Sequence, residues 1–187
     1  MVTAKHTLFG HNGDENPCEK RIFVAGSLTM IGDLASHEII FSKHYDLVAL
    51  YVDEFEQNRC LPSSCLCPVE ATPRAVTIHG FLARDFRRDA SSGQLRPAPW
   101  LYTNTRKEQG AGYIGLNYPK SRNRNTDSGL KVMAARPSGM SGCPMLNGER
   151  LALGIVSVIG IFTDYCSERG MAYGESSRKL IKLLDGL

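Results

Sequence analysis

Pro137-Ser138-Gly139-Met140-Ser141-Gly142-Cys143-Pro144 places a serine between glycines in a tight turn. An apolar run, Leu151 to Ile161, follows it and predicts one long strand or a bent pair of strands. A nucleophilic serine needs such a setting, because its hydroxyl must be exposed and nearby N–H groups must face a developing oxyanion. Glycine at position 139 leaves those donors uncovered. The Gly-x-Ser-Gly pattern is also common in ordinary loop turns, so the rest of the chain decides its meaning.

Two segments near the start of the chain supply partners for this serine. Val2-Thr3-Ala4-Lys5-His6 predicts a short β-branched strand that ends in histidine. Tyr45 to Val52 predicts a strand with Asp46 at its mouth, directly before Leu-Val-Ala-Leu. The chain therefore offers histidine, aspartate and serine in that order. A catalytic triad needs a nucleophile, a base that takes its proton and a carboxylate that holds the tautomer of the base.

These segments resemble the trypsin-like (chymotrypsin-fold) serine peptidases of the bacterial type, in the order of the three residues and in the gaps between them. Gly154-Ile155-Val156-Ser157 resembles the strand that pairs with bound substrate in that family. Met171-Ala172-Tyr173 resembles the strand that lines the far wall of the specificity pocket. The resemblance covers essentially the whole chain. It implies an all-β fold of two antiparallel β-barrels of the six-stranded type, the first barrel incomplete, with a short C-terminal helix.

The resemblance and the local composition divide the chain into three parts. Residues 1–60 are predicted to form the truncated first lobe, with the histidine and the aspartate of the triad. Residues 61–74 are the predicted linker, within a polar, proline-containing segment. Residues 75–187 are predicted to form the second lobe, with the serine, the specificity pocket and the closing helix. The opening strands of the first barrel are expected to be missing, which would leave an unpaired edge.

Short strand-like segments with turn signals between them favour an all-β structure. The further strand candidates are Arg21 to Val24, His37 to Phe41, Ala75 to Phe81, Tyr113 to Tyr118 and Leu130 to Ala135. Phe86 to Gln109 is polar and weakly patterned, and it predicts long loops. Only Ser176 to Leu187 has a helical period.

The resemblance implies a role for each member of the triad. Ser141 is the expected nucleophile, His6 the general base and Asp46 the orienting carboxylate. The backbone N–H groups of Gly139 and Ser141 are expected to form the oxyanion hole. His6 is favoured because its context resembles the family's Thr-Ala-x-His. The residues leave alternatives open: His11, His37, His44 and His79 for the base, and Asp33 and Asp53 for the carboxylate.

The resemblance also assigns a neutral substrate pocket. Ala135 is expected at its floor, Met171 on the facing wall, and Ser157 near Asp46 and the substrate backbone. Such a pocket predicts cleavage after small or medium apolar residues rather than after arginine or lysine. Met140 cannot accept an ammonium group, so the oxyanion hole is expected to form by loop packing rather than by insertion of a new N-terminus.

The composition limits the classes of protein to which the chain can belong. The 187 residues are 42% hydrophobic and 22% charged, which is ordinary for a soluble globular protein, and no run reaches the length of a membrane span. Residues 84–136 carry 11 lysines and arginines against 4 acidic residues. This stretch could attract an acidic substrate or a nucleic acid, but it lacks a recurrent aromatic motif, so we expect solvated loops. A protein or peptide substrate is predicted, with no nucleic-acid or membrane partner. The oligomeric state is left open.

Six cysteines lie at positions 18, 60, 65, 67, 143 and 166. The three central ones are spaced C-x4-C-x-C, without the paired C-x-x-C of a zinc site or a clear fourth ligand, so neither a metal nor a cofactor is predicted. Cys143 is expected to be a small packed residue beside the serine. No secretory signal precedes His6, which predicts a cytoplasmic protein as written. A truncated start would instead allow a secreted or periplasmic protein with disulfides.

The leading hypothesis from the sequence is therefore a serine endopeptidase that acts through an acyl-enzyme. The alternative is a catalytically inactive relative that keeps the fold and binds peptides or proteins, which the missing opening strands favour. A metal protein built on the cysteine cluster is a third and weaker hypothesis.

Overall fold

The computed structural model describes residues 2–9, 20–24, 27–32, 38–51, 61–67, 73–88, 95–110, 112–121, 123–125 and 127–185. No helix in these ranges is both long enough and apolar enough to span a membrane.

The first part of the chain forms short strands and one short helix. In chain order these are β1 (Val2–Thr3), α1 (Lys5–Phe9), β2 (Lys20–Val24), β3 (Ser27–Gly32), β4 (Ile39–Phe41) and β5 (Val48–Leu50). Strand β5 lies between β1 and β4 in an antiparallel sheet, while β2 and β3 pair with each other. Leu8, Val48 and Leu50 are buried together at the core of this part. The predicted first barrel stays a prediction, because residues 10–19, 33–37 and 52–60 lie outside the described ranges.

The second part of the chain closes into a barrel. Its elements are β6 (Ala75–Arg88), β7 (Leu95–Gly110), β8 (Tyr113–Asn117), β9 (Asn123–Arg124), β10 (Lys131–Val132), β11 (Pro144–Asn147), α2 (Gly148–Leu151), β12 (Val158–Cys166), β13 (Met171–Ser176) and α3 (Ser177–Leu184). Six strands form the closed barrel in the order β11-β12-β13-β8-β7-β6, and β9 pairs with β10 in a separate hairpin. The fold is thus mostly β, with a six-stranded barrel and the short C-terminal helix that the sequence predicted.

Alternating side chains fill the barrel. Along β6, Val76, Ile78 and Leu82 point inward and are fully buried, as the two-residue period of a strand requires. Tyr118 is buried with them, and its hydroxyl donates to the carbonyl oxygen of Ala135 at 2.8 Å. A buried hydroxyl with a partner avoids the cost of an unsatisfied polar group.

The prediction of long loops between Phe86 and Gln109 is wrong. Strand β6 continues to Arg88, and β7 runs from Leu95 to Gly110 as its antiparallel partner. The hairpin was hidden in the sequence because polar residues such as Thr103 lie on its outer face, where they are exposed. Tyr102 marks the inner face, since only 7% of its surface is exposed.

The prediction of a strand from Leu151 to Ile161 is also wrong in part. The short helix α2 ends at Leu151, and β12 begins only at Val158. Asn147 caps α2, because its side-chain oxygen accepts the N–H groups of Glu149 and Arg150 at 3.1 Å each. The residues between the helix and the strand form turns and an irregular stretch.

The first described part of the predicted linker, residues 61–67, packs along the barrel. Ser63–Cys65 forms a 3-10 turn, and the N–H of Cys67 donates to the carbonyl oxygen of Val158 at 2.9 Å. Ser177 at the start of α3 donates from its hydroxyl to the carbonyl oxygen of Cys67 at 2.5 Å. The proposed limits of the lobes at residues 60 and 74 stay predictions.

One apolar cluster joins the two parts of the chain. Leu47 of the first part is fully buried against Ile161 of β12 and Leu180 of α3. Full burial of side chains of this size stabilises such a contact by about 1.5–3 kcal/mol each. Because Leu47 directly follows Asp46, this cluster fixes the position of the aspartate relative to the barrel.

Candidate active site

His6 and Asp46 form a two-point contact. The backbone N–H of His6 donates to Asp46 Oδ1 at 2.9 Å, and His6 Nδ1 lies 2.5 Å from Asp46 Oδ2. An ionised carboxylate can only accept, so this contact holds the proton of the imidazole on Nδ1 and leaves Nε2 as the acceptor. The two side chains are 17% and 33% exposed, so the pair is partly shielded from water.

The helix α1 positions the histidine. The predicted strand ends at Thr3, and His6 lies in the first turn of α1 instead. The N–H groups at a helix start lack partners within the helix, and here the chain around Asp46 supplies them. Its backbone oxygen accepts the N–H of Lys5 at 3.2 Å, and its side chain accepts that of His6. Asp46 thus anchors the helix start as well as the imidazole.

The serine lies in a loop that glycine makes possible. Gly139 and Gly142 have φ angles of +86° and +93°, a region that favours glycine. The N–H of Gly142 donates to the carbonyl oxygen of Phe162 at 2.8 Å, which ties the loop to β12. The Ser141 hydroxyl donates to the carbonyl oxygen of Thr163 at 3.2 Å.

Met140 packs the loop into the barrel. Its side chain is fully buried in the core, close to where a side chain at Gly80 would lie. Cys143 follows in the same turn, and its N–H donates to the carbonyl oxygen of Met140 at 2.9 Å. Apolar packing against the barrel core therefore holds the side of the loop that faces away from the cleft.

A cleft of about 210 Å³ brings the candidates together. His6 and Ser141 both line it, and so does Gly139. Arg136 lies on the same side as the serine loop, while Thr163–Tyr165 of β12 form another part of the lining. Asp46 is not among the residues that line the cleft, but it contacts His6, which is.

The other predicted pocket residues lie outside this cleft. Ala135 and Met171 are each 5% exposed and belong to the barrel interior and to β13. Ser157 is 2% exposed, and its hydroxyl accepts from the Arg150 guanidinium at 3.5 Å, beside α2. Gly154–Ser157, the predicted substrate strand, precede β12, and none of them is among the residues that line the cleft.

Three residues that line the cleft, Thr163–Tyr165 of β12, were not predicted as site residues from the sequence. Asp164 and Tyr165 pair with Tyr173 and Ala172 of β13, and Thr163 lies at the irregularity in that pairing; no strand in the described part of the chain pairs with the other edge of these three residues. That open edge is suited to an added strand. The sequence feature that could have identified these residues is the end of the apolar run, where Phe162 is followed by the polar residues Thr163 and Asp164. Arg136, next to the serine loop in the sequence, was missed as well.

The alternative candidates for the base and the carboxylate lie either outside the cleft or outside the described residues. His44 and His79 are both exposed, and neither lines the cleft. His11, His37, Asp33 and Asp53 lie outside the described residues, as do Cys18 and Cys60. The other cysteines, Cys65, Cys67, Cys143 and Cys166, form no disulfide with one another. Within the described ranges, no group of three or more His, Cys, Asp or Glu side chains could hold a metal ion.

The comparison with solved structures shows the class of fold. One solved structure, described as "Structure of Glu endopeptidase in complex with MPD", superposes with a TM-score of 0.62 over 98% of this chain and 78% of that chain. The fold of this chain is therefore similar to that of this endopeptidase. At 11% identity the likeness shows the fold alone. No protein-family model matches the sequence, and no curated protein sequence matches it.

Gly142→Ala is expected to push the serine loop away from the segment that carries His6. A Cβ at Gly142 would overlap Thr3 Oγ1 and lie 3.3 Å from the backbone nitrogen of Ala4, two residues before His6. For the activity proposed below, a displacement of about 1 Å at a catalytic group can cost on the order of 10²-fold in rate, so we expect a loss of that size. The measurement is the specific activity on a peptide substrate, with the midpoint of thermal unfolding.

Gly129→Ala is the matched control for that variant. Gly129 also has a positive φ, +67°, but nothing lies within 4 Å of a Cβ built there. Both variants therefore carry the backbone strain of about 1–3 kcal/mol, and only Gly142→Ala carries the clash. Equal activities in the two variants would show that the Thr3–Gly142 contact does not position the site.

Cys143 should be unreactive in the folded protein. Burial raises the pKa of its thiol to about 11, with a smaller opposing effect from a hydrogen bond to the backbone of Phe81. The raised pKa favours the protonated thiol, so the reactive thiolate stays scarce until the pH approaches 11. Iodoacetamide at pH 8 should leave Cys143 unmodified until the protein is unfolded, as measured by peptide mapping. Rapid alkylation of Cys143 with loss of activity would contradict this.

Proposed function

We propose that the chain is a serine endopeptidase that hydrolyses peptide bonds through an acyl-enzyme. The observation that carries the proposal is the cleft shared by Ser141 and His6, with Asp46 in contact with His6 Nδ1. These are the three groups that nucleophilic hydrolysis needs, and the fold similarity to an endopeptidase supports the same class of reaction.

In the proposed first step, Ser141 Oγ attacks the carbonyl carbon of the scissile peptide bond. Its hydroxyl turns from Thr163 toward His6, and His6 Nε2 takes the proton as the new C–O bond forms. The Asp46 carboxylate beside His6 Nδ1 stabilises the imidazolium. His6 then gives the proton to the leaving amine as the C–N bond breaks. Water then attacks the carbonyl carbon of the acyl-enzyme while His6 takes its proton. His6 returns the proton to Ser141 Oγ as the ester bond breaks, and the acid product leaves.

The N–H groups of Gly139 and Ser141 are the proposed oxyanion donors. The turn at Gly139, with its φ of +86°, supports this role because it leaves the backbone on the cleft side without a side chain. The neighbouring Gly142 and Cys143 N–H groups are already used by Phe162 and Met140. The buried Met140 holds the turn in shape by packing, in place of an ion pair.

The proposed substrate binds as an extended strand. The edge of β12 at Thr163–Tyr165 supplies backbone groups for pairing next to Ser141. This orientation accounts for a protein or peptide substrate, because pairing to the backbone needs several consecutive peptide groups.

Pre-steady-state kinetics test the proposal. A p-nitrophenyl ester mixed with the purified protein should give a burst of nitrophenolate equal to the active protein concentration, followed by slower turnover. Casein should also be cleaved. A protein that gives no burst and no cleavage, yet still binds peptides, would instead be the inactive binding module.

A further inference from the structure

Arg136 places a positive charge in the cleft beside the serine loop. Its side chain is exposed and lines the cleft with Ser138, Gly139 and Ser141. Among the described residues, no carboxylate lies within ion-pair distance of its guanidinium. A guanidinium held at a binding surface without an acidic partner is available to a carboxylate of a ligand.

The surroundings of Arg136 are also basic. Lys131 is the charged residue nearest to Arg136 in the sequence, and the closest acidic residues along the chain are Asp127 and Glu149. The β9–β10 hairpin, which leads into this segment, places Arg124 opposite Lys131, and both are exposed. The acidic residue of the cleft is Asp164 on β12, which accepts the N–H of Tyr165 at 2.7 Å and forms no ion pair with Arg136. Among the residues of segment 136–141 that line the cleft, Arg136 is the charged one.

The position of Arg136 determines which substrate residue it meets. The attacked carbonyl must lie at Ser141 Oγ, with its oxygen toward the N–H groups of Gly139 and Ser141. Arg136–Gly139 and Thr163–Tyr165 both line the cleft. With the substrate backbone paired to Thr163–Tyr165 as proposed above, the side chain of the residue that carries this carbonyl would face Arg136–Gly139.

We propose that Arg136 is a specificity-determining residue that binds the acidic side chain of this substrate residue, so that the chain cleaves after glutamate or aspartate. This inference rests on the proposed function and replaces the cleavage after apolar residues expected from Ala135. Ala135 lies inside the barrel, so it does not set the charge that a substrate meets. A carboxylate bound to Arg136 gains charge-assisted hydrogen bonds that a neutral side chain cannot make.

The test uses peptides that differ only at the residue before the cleaved bond. Charge-assisted hydrogen bonds of this kind correspond to a preference of about 10- to 100-fold in kcat/KM for glutamate over glutamine. Arg136→Gln should reduce the ratio to about one, and Arg136→Lys should keep part of it. Arg136→Glu should shift the preference toward lysine. Arg178→Gln removes an equal charge from the exposed face of α3, outside the cleft, and should keep the full ratio.

Binding of product peptides gives a second readout that needs no turnover. A peptide that ends in glutamate should bind wild type and Ser141→Ala at least 10-fold more tightly than one that ends in glutamine, and Arg136→Gln should lose the difference. Cleavage that depends on Ser141 but shows no acidic preference would overturn this inference and leave the proposed function standing. Equal binding of the two product peptides would overturn it as well. Absence of cleavage by wild type, with the binding preference intact, would remove the proposed function and keep the acidic site.

Discussion

Ser141→Ala is expected to lower the turnover of peptide and ester substrates by on the order of 10⁴-fold or more, because the acyl-enzyme cannot form without the hydroxyl. The change removes one oxygen atom whose protein contact is a hydrogen bond of 3.2 Å to the carbonyl oxygen of Thr163. Loss of such a bond costs about 0.5–1.5 kcal/mol of stability, so the fold should persist. The measurement is kcat on a fluorogenic peptide, with circular dichroism to check the fold.

Ser167→Ala is the control for this variant. Ser167 is exposed in the turn between β12 and β13 and does not line the cleft. Its activity should stay close to that of wild type. Unchanged turnover in Ser141→Ala would show that hydrolysis does not depend on this serine, and the assignment of the nucleophile would fail.

His6→Ala is expected to be about as damaging as Ser141→Ala, because members of a triad act as a unit. The variant removes both the proton acceptor and the partner of Asp46 Oδ2. Asp46→Asn should also lower kcat by on the order of 10⁴-fold, because an amide can favour the wrong tautomer of His6. The double variant Ser141→Ala with His6→Ala should lose little beyond either single change. These rates are measured with the same peptide substrate.

The other described histidines provide matched controls. His44 and His79 are exposed and lie outside the cleft, so their replacement by alanine should leave most of the activity. If His44→Ala were the inactive variant, the base would have been assigned to the wrong residue. Full activity in His6→Ala would contradict the role of α1 in catalysis.

Sequence patterns predicted those features that depend on short, local chemistry. The glycines around Ser141 indicated a sharp turn, and Gly139 and Gly142 do have positive φ angles. The apolar residues after Asp46 predicted a buried strand, and Leu47 is indeed fully buried. The contact between His6 and Asp46, 40 residues apart, was expected only from the resemblance, because no local pattern encodes it.

Features that depend on pairing partners could not be predicted in this way. Gly154–Ser157 lie within the apolar run from Leu151 to Ile161 and Thr163–Tyr165 lie just after it, and only the register of β12 against β11 decides which of them reaches Ser141. Strand β7 was missed because several of its outward residues, such as Thr103 and Lys107, are polar and exposed. Arg136 was missed because an arginine in a basic stretch is ordinarily a solvated surface residue, and only the folded cleft places it beside the serine.

Active-site labelling with a fluorophosphonate probe tests the central claim most directly. The probe forms a covalent bond only with a serine activated by its base, so it reports an assembled site without knowledge of the natural substrate. We expect wild type to be labelled at one residue, which mass spectrometry of the digested protein identifies as Ser141, and His6→Ala to be labelled at a rate reduced by several orders of magnitude. Absence of labelling in a folded wild-type protein, or labelling at a residue other than Ser141, would contradict the account.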